Sequence, residues 1–306
     1  MNAIINKKMN RYRLTVKLFT ILVVVFYLLN ACTNKTDNSK AVISVSILPQ
    51  KYFVEQIAGD HFDINVLIPP GASPASYDPT PSQIVELAKS KIYFKIGYIE
   101  FEKNWLDKIS EEYPQLNIID NSAGLDLIEN QEHDQGHGHH HGFIEPHTWM
   151  SPENVKIIAR SIYEALLKFD NQNESFYTEN YNRFILEIES LNQDISEQLQ
   201  DASSRSFIIY HPALTYFAKA YKLLQLPIEI EGKNPSAYHI KQIIDSAKSQ
   251  NIQIIFIQKQ FDQEKAKIIA SEINGNVIAI DPLDYNWPDQ LRTIANAFVI
   301  APENIK

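Results

Sequence analysis

The chain is 306 residues long and 44% hydrophobic, enough to bury more than one average core and to form two lobes. Cys32 is its one cysteine, which excludes an internal disulfide and any thiolate metal site, so a metal would be held by nitrogen and oxygen. The formal charge is −9; removing the five Lys and Arg of residues 1–31, which hold no Asp or Glu, leaves 23 basic against 37 acidic residues and a charge of −14. That balance argues against a nucleic acid partner and favours collecting cations.

Lys7, Lys8, Arg11, Arg13 and Lys17 precede an apolar run, LFTILVVVFYLL (18–29). The run is too short to span a bilayer as a mature helix and suits the apolar region of a signal peptide, predicted over residues 1–31. Leu29-Asn30-Ala31-Cys32 then resembles a bacterial lipobox, although Asn30 fits it imperfectly. It implies cleavage before Cys32, lipid attachment at Cys32 and a polar tether over 32–40 holding the protein to a bacterial membrane, outside the cytoplasm.

From residue 41 onward, β-branched runs alternate with amphipathic segments. AVISVSIL (41–48), FDINVLI (62–68), KIYFKIG (91–97) and LNIID (116–120) predict four strands, with helices near 50–58, 81–89 and 102–112. A second series, SFIIY (206–210), LPIEIE (226–231), IQIIFIQ (252–258) and NVIAID (276–281), has helices near 213–224, 236–250 and 260–273. Strands spaced by helices predict an α/β fold with two (β/α) lobes, each built on a four-stranded parallel sheet. Between the series, residues 174–202 hold no Pro or Gly and repeat apolar residues at helical spacing, predicting one long rigid helix. The expected organisation is an N-terminal lobe over 41–170, a linking helix within 171–203 and a C-terminal lobe over 204–306.

Residues 133–147 read HDQGHGHHHGFIEPH and hold six of the nine histidines. The glycines and polar side chains of 133–142 cannot build a core and predict a loop. Open parallel sheets place ligand groups beyond the carboxyl ends of their strands. His211 follows SFIIY and Asp281 ends NVIAID, each before a proline, while His147 lies in EPHTWMSPENV, where SPEN is expected to cap the next helix. Neutral imidazole and carboxylate are donors for a divalent transition metal such as Zn(II). Each also has an ordinary reading, as a helix-cap histidine, a loop residue and a turn-forming aspartate. His61 and His239 read as surface or packing residues.

SILPQKYFVEQIAGD (46–60), VLIPPGASPASYDPTPSQ (66–83), EPHTWMSPENV (145–155), YHPALTYFAKAY (210–221), EGKNPS (231–236) and IAIDPL (278–283) resemble, in order and spacing, the blocks of the ZnuA/TroA-like zinc/manganese-binding solute-binding proteins of ABC transporters. The resemblance covers residues 41–300. It implies a monomeric, non-enzymatic receptor with a metal between two lobes, delivered to a membrane permease and its ATPase, and a His-rich loop of the zinc type. Its ligand positions fall on His147, His211 and Asp281. In the first block, where the family reads G-x-S-P-H, this chain has Ala75, which cannot ligate a metal. The vacancy falls to water, to another side chain such as Tyr77 or Asp78, or to His133, His137, His139, His140 or His141, which otherwise act as a metal-collecting antenna.

Three alternatives are a Mn(II) or Fe(II) receptor, a diverged lipoprotein or adhesin without a transport role, and a zinc hydrolase. The last lacks an H-E-x-x-H helix, and Glu145, the carboxylate near His147, has no evident role as a general base.

Overall fold

The computed structural model describes residues 40–299 apart from 131–142, 203, 230–234, 260 and 262, together with residues 9, 13, 17 and 20. Ala41 begins one compact unit that holds both sheets. Strands β1 (Ala41–Val45), β2 (Phe62–Val66), β3 (Ile92–Lys95) and β4 (Asn117–Asp120) form a parallel sheet in the order β2-β1-β3-β4. Helices α1 (Leu48–Ala58), α2 (Pro81–Lys89) and α3 (Glu100–Glu112) connect them. A two-stranded antiparallel hairpin follows, β5 (Glu129–Asn130) with β6 (Phe143–Ile144), pairing Glu129 with Ile144 and Asn130 with Phe143. A short 3₁₀ turn, Thr148–Met150, leads into α4 (Pro152–Phe169).

Helix α5 (Glu174–Gln200) is 27 residues long, a length of about 40 Å. Its buried residues Tyr177, Phe184, Ile188, Leu191, Ile195 and Leu199 keep one apolar stripe, which rests on α1 and α4 and farther along on the last helix. The second sheet contains β7 (Ser206–Ile209), β8 (Leu224–Pro227), β9 (Ile254–Gln258) and β10 (Asn276–Ile280) in the order β10-β9-β7-β8. Helices α6 (Thr215–Tyr221), α7 (Ala237–Ser249), α8 (Gln263–Ile273) and α9 (Trp287–Asn296) accompany it. Numbered within its own lobe, each sheet runs second, first, third, fourth. The two lobes therefore share one topology, with the switch point between first and third strands.

Two local expectations are corrected. The second strand of the C-terminal lobe occupies Leu224–Pro227, not 226–231. Lys222 adopts a left-handed conformation (φ 55°) that ends α6 early, and Leu223 N bonds Ala218 O at 2.9 Å, so the chain enters the sheet at Leu224 opposite Ser206. The Ser151 side chain makes no capping bond; α4 begins with Pro152, whose fixed φ suits a first helical turn.

Candidate metal centre

At the switch point of the C-terminal lobe, β7 ends at Ile209 and His211 stands two residues beyond it. Gln258, at the end of β9, clamps this turn: its amide donates to His211 O at 2.6 Å and its oxygen accepts from His211 N at 3.3 Å. Glu229, just past β8, is buried, and its Oε1 lies 3.1 Å from His211 Nδ1. Phe261 stacks on the imidazole, ring centroids 5.6 Å apart.

His147 arrives from the N-terminal lobe by way of the hairpin. Glu145 N bonds Ile128 O at 2.9 Å, continuing the hairpin pairing, and Pro146 turns the chain. The buried Glu145 carboxylate then takes both His147 N, at 3.1 Å, and His147 Nδ1 through the same Oε1. Burial pushes the Glu145 carboxyl up, but the adjoining His147, with help from His211, brings it below its usual value. The two imidazoles meet edge to face, centroids 5.1 Å apart.

Cross-lobe bonds hold this meeting in place. Tyr216 donates its hydroxyl to Glu145 O and accepts from Ile128 N, each at 3.1 Å. Trp149 Nε1 bonds Pro282 O and Trp287 Nε1 bonds Trp149 O, both at 2.7 Å, with both indoles buried. The 3₁₀ turn after His147 is thereby tied to the segment after Asp281.

Asp281 lies at the carboxyl end of β10, where its Oδ1 accepts from Leu283 N at 3.1 Å and Lys259 Nζ stands 3.9 Å from Oδ2. Burial raises its pKa, opposed by the Leu283 amide and the Lys259 charge. It lines a cavity of about 200 Å³ between the lobes, with Ile47, Leu48, Pro69 and Pro70 on the facing wall. The structure thus brings His147 and His211 together and sets Asp281 on the interlobe gap. Among the described residues, no group of three or more His, Cys, Asp or Glu converges closely enough to hold a metal ion.

Ala75 is exposed in the loop between β2 and α2. Its neighbours are engaged elsewhere: Asp78 accepts from Trp105 Nε1 at 3.3 Å, and Tyr77 donates to Gln83. His133, His137, His139, His140 and His141 lie outside the described residues. His61 stacks on Phe176 and bonds Tyr177, and His239 sits in the first turn of α7. Sequence reasoning missed Glu229 and Gln258 altogether and gave Glu145 no role. The Glu145-Pro-His147 spacing was the available signal, since a rigid proline brings a carboxylate back onto the imidazole two residues on.

The family model described as ZnuA, zinc-uptake complex component A periplasmic, matches residues 43–299. The chain belongs to this family. Membership places it among the periplasmic metal-binding solute receptors of ABC transporters, a non-catalytic class. The high-affinity zinc uptake system protein ZnuA of Bacillus subtilis (strain 168) is 26% identical over 280 residues, covering 86% of this chain and 87% of that protein. A crystal structure of ZnuA superposes with TM-score 0.77 at 37% identity, covering 84% of this chain and 97% of that one. The laminin-binding protein Lmb of Streptococcus agalactiae, described as bifunctional in adhesion and metal transport, shares the fold at TM-score 0.75 and 22% identity, covering 85% and 100%.

Proposed function

We propose that the protein is a zinc receptor, anchored to a bacterial membrane through lipid on Cys32, that captures Zn(II) outside the cytoplasm and hands it to an ABC permease and its ATPase. The observation that carries this reading is the meeting of His147 and His211 at 5.1 Å, one imidazole from each lobe, with Asp281 on the gap between the lobes. Two imidazoles and one carboxylate are donors well matched to zinc, which accepts a tetrahedral mixture of nitrogen and oxygen. A deletion mutant of ZnuA with zinc bound, 37% identical to this chain, and the Bacillus zinc uptake protein support the choice of metal.

Ala75 favours a second reading, a diverged receptor or adhesin that holds metal weakly. Zinc and manganese titrations of the untagged chain, by calorimetry, separate the two. The receptor reading predicts one tight zinc site, preferred over manganese and weakened at least a hundredfold by His211→Ala, since losing one of three protein donors leaves the ion under-coordinated. A parent without a tight transition, or a variant that keeps it, contradicts that reading.

A further inference from the structure

We propose that Glu145 and Glu229 are positioning residues that fix the hydrogen of each imidazole on Nδ1, so that His147 and His211 both present Nε2 to the cargo before it arrives, and that Glu145 also registers the N-terminal donor against the C-terminal lobe. The proposal rests on the reading of the two histidines as ligands and adds the groups that orient them.

The two carboxylates are 2% and 7% exposed, and each faces one imidazole nitrogen. Glu229 Oε1 lies 3.1 Å from His211 Nδ1, and Glu145 Oε1 contacts His147 Nδ1 while accepting from His147 N at 3.1 Å. An ionised carboxylate only accepts hydrogen bonds, so the hydrogen shared in each pair belongs to the imidazole. In a neutral imidazole that leaves the lone pair on Nε2, the nitrogen turned away from the carboxylate. A hydrogen bond from the far ring nitrogen to a carboxylate also strengthens the near nitrogen as a donor and holds the ring plane. In a chain with alanine at position 75, such preparation carries more of the affinity, because an unoriented ring loses rotational freedom on capture.

The two carboxylates differ in reach. Glu229 follows β8, next to the strand that carries His211, so it orients a ring within its own lobe. Glu145 is held by the other lobe: Tyr216 donates to its backbone oxygen at 3.1 Å, and Thr215, whose hydroxyl donates to Pro212 O at 3.0 Å, lies 3.4 Å from its Oε2. Thr215 in turn accepts from Gln225 Nε2 at 2.9 Å. These partners open α6, four and five residues after His211, so one short segment places the second imidazole and grips the support of the first.

The test is nitrogen-15 and carbon-13 NMR of the histidine rings in the metal-free full chain at pH 8, with His147 and His211 assigned by single replacement, beside zinc titration of the same samples. The parent is expected to show Nδ1–H at both rings. Glu145→Met should move His147 to the Nε2–H form and lower zinc affinity about 10- to 100-fold. Glu145→Gln, which keeps a carbonyl acceptor, should retain the tautomer and recover most of that loss. Glu229→Met should do for His211 what Glu145→Met does for His147. Tyr216→Phe, which removes the cross-lobe bond and leaves the carboxylate, should weaken zinc severalfold with the tautomer unchanged; an unaltered affinity there removes the registering role. An Nε2–H form in the parent, or Glu145→Met with parental tautomer and affinity within twofold, overturns the proposal. If Glu145→Met does not fold, the parent spectrum and Glu145→Gln decide. A parent with both rings Nδ1–H and no zinc binding sinks the zinc reading while leaving the ring orientation standing.

Discussion

Position 75 is where one substitution tests the proposed site most simply. Alanine there sits exposed on the loop between β2 and α2, and the neighbouring side chains are turned to the helices, Tyr77 donating to Gln83 of α2 and Asp78 accepting from Trp105 of α3. Ala75→His is therefore expected to raise zinc affinity at least severalfold, most clearly in a chain lacking residues 131–142, where no loop imidazole competes. Calorimetric titration of four proteins, with and without that stretch in each background, checks this. Unchanged affinity in the shortened pair means that residue 75 does not face the metal. At this scale the sequence revealed His147, His211 and Asp281 as candidates, because proline and strand ends mark their positions. Glu229 was hidden: it reaches His211 only through the register of β8 against β7, and that register depends on where α6 stops.

The first strand of each lobe ends at a corresponding place, occupied by His211 in one lobe and by a buried polar cluster in the other. Glu102, 3% exposed, accepts from Ile96 N at 2.7 Å and Gly97 N at 2.6 Å, and Ser46 and Tyr93 also bond it. Gly97 has φ 90°, and a Cβ there would lie 2.6 Å from Ser122 Oγ, so glycine is needed for the turn that aims both amides at the carboxylate. Burial raises the Glu102 pKa from 4.5 to about 7 against the hydrogen bonds from Ser46, Ile96 and Gly97 and the charge of Lys95. A carboxyl with a raised pKa holds its proton more tightly folded than unfolded. Its contribution to stability is greatest below pH 4.5 and is lost as pH rises to about 7, a change of roughly 3 kcal/mol. Urea unfolding of the parent and Glu102→Gln should show the parent losing that amount relative to the variant between pH 4.5 and 7.5; a difference independent of pH contradicts the assignment. Strand existence was legible from β-branched runs. The hairpin β5/β6 was not, because two-residue strands carry no periodicity and their pairing spans twelve intervening residues.

Across the whole molecule, two sheets of one topology meet at their carboxyl ends, and the contacts between them are specific. Trp149 donates to Pro282 O and Trp287 to Trp149 O across the seam, and Tyr285 donates to Glu55 at 2.6 Å. The two-lobe architecture and the long helix could be read from the alternation of patterns alone, whereas the seam could not, because its partners are as much as 230 residues apart. The seam is what brings His147 and His211, 64 residues apart in the chain, face to face. The most direct test of that claim is anomalous diffraction at the zinc edge from crystals of zinc-loaded protein lacking residues 131–142. The expected result is one peak between His147 and His211, bonded to both Nε2 atoms at about 2.0–2.1 Å, with Asp281 as the carboxylate ligand. Zinc bound at other residues, or a fully occupied site that leaves either imidazole uncoordinated, would contradict the account.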